Sequence, residues 1–284
     1  MSELQLLPAT GASTYRPAEG MPSALFLPDG TDGVVSTELT RGPWAHRVMH
    51  GGPICGALGR TVELGLGRRD LVCTRFTVDI LSGIPVEPLR CSHQVRKAGK
   101  RTALVDGFLE HDGRLVARAT SQWLAPGPAD QGGPIELPPV PGDRDDPGAH
   151  PDMTYPRPGF NADAIDLRVV EGSTEEPGPG RIWIRLAHPL VDGELTTTFQ
   201  RLTTLCDLGA AVGWEPSDSD AHYINTDVTL QLVRRPQGEW FFFESSVVHG
   251  ADGVACCRST ISDVGGVLGW IMQSQMQAPP EIRF

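Results

Sequence analysis

The sequence predicts an α+β fold in which one unit, a long helix covered by antiparallel strands, occurs twice in tandem. Three observations lead there. A Pro/Gly-rich break falls near the middle of the 284 residues. The same order of one helix and four strand-like runs appears on each side of it. The strands that follow the two helices can also be overlaid, with threonines recurring at the same two places and the spacing elsewhere differing by a residue or two.

In the first half the 3.6-residue period predicts a helix from about His50 to Gly67, and alternation predicts strands over 72–81, 90–97, 102–111 and 114–124. The stretch APGPADQGGPIELPPVPGDRDDPGAH, Ala125 to His150, carries no sustained period and reads as a linker. The expected division is a first domain over 1–124, a linker over 125–155 and a second domain over 156–284. In the second half a helix is expected from about Thr197 to Trp214, then strands near 222–234, 239–249, 253–262 and 267–276.

The overlay is direct. Cys73-Thr74-Arg75-Phe76-Thr77-Val78-Asp79-Ile80-Leu81 lies over Asn225-Thr226-Asp227-Val228-Thr229-Leu230-Gln231-Leu232-Val233, with threonines at the same two places. The segment from Gly113 to Gln122 matches that from Gly266 to Gln273. On the second helix Phe199, Leu202, Cys206, Gly209 and Gly213 form one stripe, and Leu205, Leu208 and Val212 an adjoining one. That apolar surface is too broad for an ordinary surface helix and implies a helix wrapped by its sheet.

Composition limits the function classes. A net charge of −11 argues against a nucleic-acid partner, which needs clustered Lys and Arg. No apolar run approaches the roughly 18 residues of a membrane span. The start, MSELQLLPATGAS, has neither a basic leader nor a continuous apolar stretch, so the expected compartment is the cytoplasm. The six cysteines form no CxxC pair and no His lies at metal spacing, so neither a metal nor a redox motif is expected.

Several segments together carry a family resemblance. In the first half they are HGGPICGAL, RFTVDILSGIPVEP and VRKAGKRTALVDGFLEHDGRLVARAT. In the second they are WIRLAHPLVDGE, QRLTTLCDLGAAVG, INTDVTLQLVRRPQGEW and STISDVGGVLGWIMQSQ. In this order the chain resembles the TesB-like, or type II, acyl-CoA thioesterases, particularly their actinobacterial branch. The resemblance implies two tandem hotdog domains and hydrolysis of an acyl-CoA or acyl-carrier thioester by activated water, without a cofactor. It implies a site made of an Asp on the second helix, a Ser or Thr on the next strand and a Gln on the last strand. Carried over, these are Asp207, Thr226 and Gln273, with Ser262 as the other candidate for the third place.

The chemistry of those residue types fits. A carboxylate can take a proton from water while a hydroxyl and an amide fix the water's position. Asp207 precedes Gly209, Ala210 and Ala211, which suit tight packing. Alternation puts Thr226 on the apolar face with Ile224, Val228 and Leu230. His50, Gly51 and Gly52 open the first helix, where free N–H groups favour a developing negative charge and glycines admit a substrate closely. The first half offers Thr74 and Gln122 as counterparts but only Gly59 or Arg60 near the place of Asp207, so one complete site is expected. Arg234 and Arg235, and separately Arg96, Lys97, Lys100 and Arg101, are candidates for coenzyme A phosphates, or solubilising loop charges.

Other readings stay open. They are a non-catalytic acyl-CoA or acyl-carrier binding protein, and a hydratase or dehydratase, which would pair an Asp with a His that the second helix lacks. Exposed sheet edges suggest a homo-oligomer.

Overall fold

The structure, a computed structural model, describes residues 20–43, 47–128, 136–140, 158–172, 178–211 and 223–278. In the first half β1 (Phe26–Asp29) and β2 (Gly33–Ser36) precede α1 (Gly51–Leu66). Then come β3 (Val72–Ile80), β4 (Pro88–Ala98), β5 (Thr102–His111) and β6 (Arg114–Leu124). In the second half a π-helical turn (Phe160–Ala164) leads into β7 (Ile165–Glu171) and β8 (Gly180–Leu186). α2 (Thr198–Leu205) follows, tightening into a 3-10 segment (Cys206–Ala211). β9 (Tyr223–Asn225), β10 (Asp227–Leu232), β11 (Phe241–His249), β12 (Val254–Asp263) and β13 (Gly266–Gln277) complete the described elements.

The strands form one antiparallel sheet in the order β1-β2-β4-β5-β6-β3-β10-β13-β12-β11-β8-β7, with β9 also paired to β13. The halves join at β3 and β10. There Thr77 faces Thr229, and Thr229 Oγ1 donates to Thr77 Oγ1 at 3.3 Å. These are the two threonines that the overlay equates, so the local two-fold relation passes through this pair. The sheet curves around both helices, which is the double hotdog arrangement.

Sequence accounts for both helix ends of α1. His50 caps the start, its Nδ1 accepting from Gly52 N–H at 3.0 Å. Gly67 ends it in the left-handed region at φ 62°, which only glycine adopts at little cost. From Gly51 through Gly59 every residue is buried, as expected of a wrapped helix.

α2 departs from expectation. Thr197 and Gln200 form a capping box at its start. The regular helix stops at Leu205, whereas the period continues to Trp214. Thr203 Oγ1 and Thr204 Oγ1 both donate back to Gln200 O, at 3.1 and 2.7 Å, a pattern that bends helices, and the next turn tightens. Residues 212–214 lie outside the described residues.

The two helices run antiparallel and touch. A Cβ on Gly56 would overlap Thr204 Oγ1, and one on Gly59 would overlap Thr203 Oγ1. Close approach brings the start of α1 against the 3-10 segment that follows α2. Among the described residues no helix is long and apolar enough to cross a membrane.

Candidate active site

Asp207 is buried at 5% exposure, on the first turn after α2 and beside the first residue of α1. Its carboxylate occupies the volume that a Gly51 side chain would need. Oδ1 accepts from Asn225 Nδ2 at 2.7 Å and from Gln273 Nε2 at 3.3 Å. The same two amides also hold the Asp207 backbone carbonyl, at 3.2 and 3.0 Å. Oδ2 lies 3.2 Å from His50 Nδ1. Gln273 is fully buried, and its Oε1 has no hydrogen-bond partner.

Burial pushes the Asp207 carboxyl up to about 7, against the opposing effect of the Asn225 and Gln273 hydrogen bonds. Burial likewise lowers the His50 imidazole to about 3. Both neutral forms are favoured, so near pH 7 the carboxyl is poised between its acid and its base form.

Of the residues expected from the sequence, Asp207, Gln273, His50 and Gly51 meet, with Gly52 held by His50. Thr226 does not join them. Its hydroxyl and its N–H both donate to Ser274 O, at 3.1 and 3.0 Å, and Asn225 reaches Asp207 instead. The cause is a bulge. Asn225 pairs with Gln275 and Thr229 with Met272, so four steps on one strand oppose three on the other. One extra residue reverses which side chains face inward. Thr226 turns away at the break between β9 and β10, and Asn225 faces the helix. Gln275 braces it, Nε2 donating to Asn225 Oδ1 at 3.0 Å. Ser262 lies on β12 opposite Val267, while Gln273 pairs with Cys257 on the same strand. Five residues of strand, about 16 Å, separate those positions.

The first half carries the same bulge, between Cys73 and Arg75, and Thr74 Oγ1 donates to Gln122 O at 3.4 Å as Thr226 does to Ser274. The counterpart of Gln273 is therefore Ser121 and not Gln122, because the bulge again shifts the register. Counted from the helix starts, Arg60 stands at the place of Asp207, as expected, and Glu63 lies one turn further on. Glu63 accepts from Thr197 Oγ1 at 2.9 Å and Gln200 Nε2 at 2.7 Å, while Arg60 is paired with Glu194. The decisive difference lies at the helix starts. Where α1 has Gly51 and Gly52, α2 has Thr198 and Phe199, and the Phe199 ring packs edge-on against Phe76 and Trp123. The second place is filled with aromatic side chains.

The basic residues divide. Arg234 is bound to Asp263 at 2.9 Å and Arg96 to Asp106 at 2.6 Å. Arg235 donates to Arg69 O and Arg68 to Lys100 O, so Arg68, Arg69, Lys100 and Arg235 converge near the C-terminal end of α1. That end is about 24 Å along the helix from Gly51. A surface hollow of about 480 Å³ lined by Asp29, Asp32, Arg90 and Glu110 shares no residue with the Asp207 site. Among the described residues no group of three or more His, Cys, Asp or Glu could hold a metal ion.

The family model of the acyl-CoA thioesterase C-terminal domain matches residues 134–276, and that of the acyl-CoA thioesterase N-terminal domain matches residues 40–123. No curated protein sequence matches the chain. Among solved structures, a hot dog fold protein of unknown function from Alicyclobacillus acidocaldarius superposes with a TM-score of 0.69 at 14% identity, over 91% of this chain and 97% of that one. The tesB protein of Mycobacterium avium subspecies paratuberculosis superposes at 0.60 and 14% identity, over 89% and 96%. An acyl-CoA thioesterase II of Mycobacterium marinum does so at 0.56 and 16% identity, over 81% and 89%. At these identities the likeness establishes the fold.

Proposed function

The chain belongs to the TesB-like acyl-CoA thioesterase family and is a thioester hydrolase, and from that premise we propose that it hydrolyses its acyl-CoA substrate at Asp207, held by Asn225 and Gln273. The observation that carries this reading is the Asp207 carboxyl, buried against the start of α1 and poised near pH 7. Asp207 takes a proton from water as the water oxygen bonds to the carbonyl carbon. First-turn N–H groups of α1 receive the negative charge that develops on the carbonyl oxygen. The tetrahedral intermediate then releases the thiolate, which takes up a proton. Asn225 and Gln273 aim the carboxylate, and the open Gln273 Oε1 offers the water an acceptor. Gly209 makes room for that oxygen, since a Cβ there would sit 3.0 Å from it. Thr226 supports the site through the backbone, fixing the bulge that turns Asn225 inward.

The absence of a side chain at Gly51 and Gly52, against Phe199 at the matching place, supports one working site. The test is thiol release from short to long acyl-CoA thioesters by the native protein and by Asp207→Ala. Turnover in the native protein that Asp207→Ala abolishes upholds the reading, and equal turnover in both rejects it.

One contact favours a second reading. A histidine does meet Asp207, from α1 instead of α2, as hydration of an enoyl thioester would require. Loss of the conjugated 2-enoyl-CoA absorbance without thiol release would favour it.

The division into hotdog units at 1–124 and 156–284 is supported by the repeated bulges and by Thr77 facing Thr229. Exposed Trp270, Met272 and Met276 along one face of β13 suit contact with a second copy. All six cysteines are free thiols, which suits a reducing compartment such as the cytoplasm.

A further inference from the structure

His50 Nδ1 has one lone pair and, among the described residues, two claimants. Gly52 N–H points at it from 3.0 Å, and Asp207 Oδ2 lies 3.2 Å away. If Nδ1 accepts from Gly52, it cannot also face an ionised oxygen without repulsion, so Oδ2 must carry a proton. If Asp207 is ionised, the proton must sit on Nδ1, which then cannot accept from Gly52. The two arrangements exclude one another.

We propose that His50 is a positioning residue that couples the ionisation of Asp207 to the freeing of the Gly52 N–H for the substrate's oxyanion. This rests on reading Asp207 as the group that activates water. In the resting arrangement Asp207 holds the proton, and Gly52 N–H is capped. When Asp207 loses that proton to solvent and the neutral imidazole carries its own proton on Nδ1 instead of Nε2, the carboxylate becomes a base and gains a donor, and the N–H of Gly52 is released together with it. Water then gives one proton to Asp207 as its oxygen bonds to the carbonyl carbon. The carbon–sulfur pair leaves on the thiolate, and the thiolate takes one of the two protons that the pair now holds. The pair returns to its single proton.

The packing suits such a switch. His50 is buried against Phe160, ring centres 4.8 Å apart. Among the described residues the other titratable groups facing Asp207 are thiols. Cys55 on α1 is pushed up by its hydrogen bond to Cys206 and by burial, and Cys257 on β12 is pushed up to about 12 by burial. Cys206 precedes Asp207 on its own segment.

The experiment is nitrogen NMR of the His50 ring in the native protein from pH 5 to 9, beside the pH dependence of acyl-CoA hydrolysis by native protein and His50→Asn. Coupling requires Nδ1 to gain its proton as pH rises through the Asp207 titration, the reverse of an ordinary histidine. Asparagine keeps a capping oxygen for Gly52 but has no ring proton to move. Its kcat should fall about 100-fold, the effect of losing one oxyanion donor, with KM within about threefold. Its acid limb should move to higher pH, because the carboxylate has lost a donor. An Nδ1 that stays unprotonated throughout, or a His50→Asn enzyme with native kcat and an unmoved limb, overturns the coupling. A native protein without turnover overturns the hydrolytic site instead, and the nitrogen shifts still decide the coupling.

Discussion

The carboxylate of Asp207 fills the space that a side chain on Gly51 would take: a Cβ built on Gly51 would lie 2.6 Å from Asp207 Cγ. Alanine is the better helix former by about 1 kcal/mol, so propensity alone would make Gly51→Ala stabilising. The overlap dictates the opposite. Gly51→Ala is expected to lower both stability and kcat, the latter about 100-fold through a displaced carboxylate. Thermal denaturation and steady-state kinetics on one preparation check both.

Asn225 and Thr226 separate the two strand registers. With the bulge in place, Asn225→Ala leaves Asp207 Oδ1 held by Gln273 alone, and kcat/KM is expected to fall about 100-fold. Thr226→Ala removes a hydroxyl bonded to Ser274 O and should stay within about fivefold, a change of about 1 kcal/mol. The reverse order in a kinetic comparison would mean that the strand is not bulged there.

The charge of Asp207 sets a pH dependence of stability. Its carboxyl rises from 3.8 in the unfolded chain to about 7 in the fold. Between those values the folded chain keeps a proton that the unfolded chain releases, so this group's stabilisation is complete below pH 4 and is lost as pH rises through 7. Asp207→Asn removes that dependence. The variant should gain on the native protein from pH 4 upward, by about 1.4 kcal/mol for each unit, and level off above pH 8. Urea denaturation at pH 4, 6 and 8 gives the sign directly. His50 contributes the opposite slope between about 3 and 6.5.

Glu63 and Phe199 test the filled place in the first half. Glu63→Gln should cost about 1 to 2 kcal/mol of stability, since two donors lose a charged acceptor, and leave kcat unchanged. Phe199→Ala should cost about 3 to 5 kcal/mol for an aromatic cavity and open no second activity. A rise in turnover per chain in Phe199→Ala would show that the place is blocked but still competent.

The helix α1 and the strands that follow each helix were legible in the sequence because they follow from period and alternation, whereas β1, β2, β7 and β8 and the early end of α2 were not. His50 and Gly67 bound α1 as the pattern requires. Two features of the site were not legible either. A bulge of one residue leaves composition and alternation unchanged while exchanging the roles of Asn225 and Thr226, and Gln122 and Ser121. The contact between His50 and Asp207 depends on how closely two helices pack, which the Gly56 and Gly59 spacing hints at without giving the register. A search for polar residues beside the expected threonine would have raised Asn225.

The most direct measurement is thiol release from a series of acyl-CoA thioesters by native protein and Asp207→Asn, an isosteric change that keeps the site packed. Hydrolysis through Asp207 requires turnover in the native protein and a loss of about 1,000-fold or more in the variant, a barrier change of about 4 kcal/mol. Equal turnover in the two proteins would contradict it and would move the chemistry to another part of the molecule.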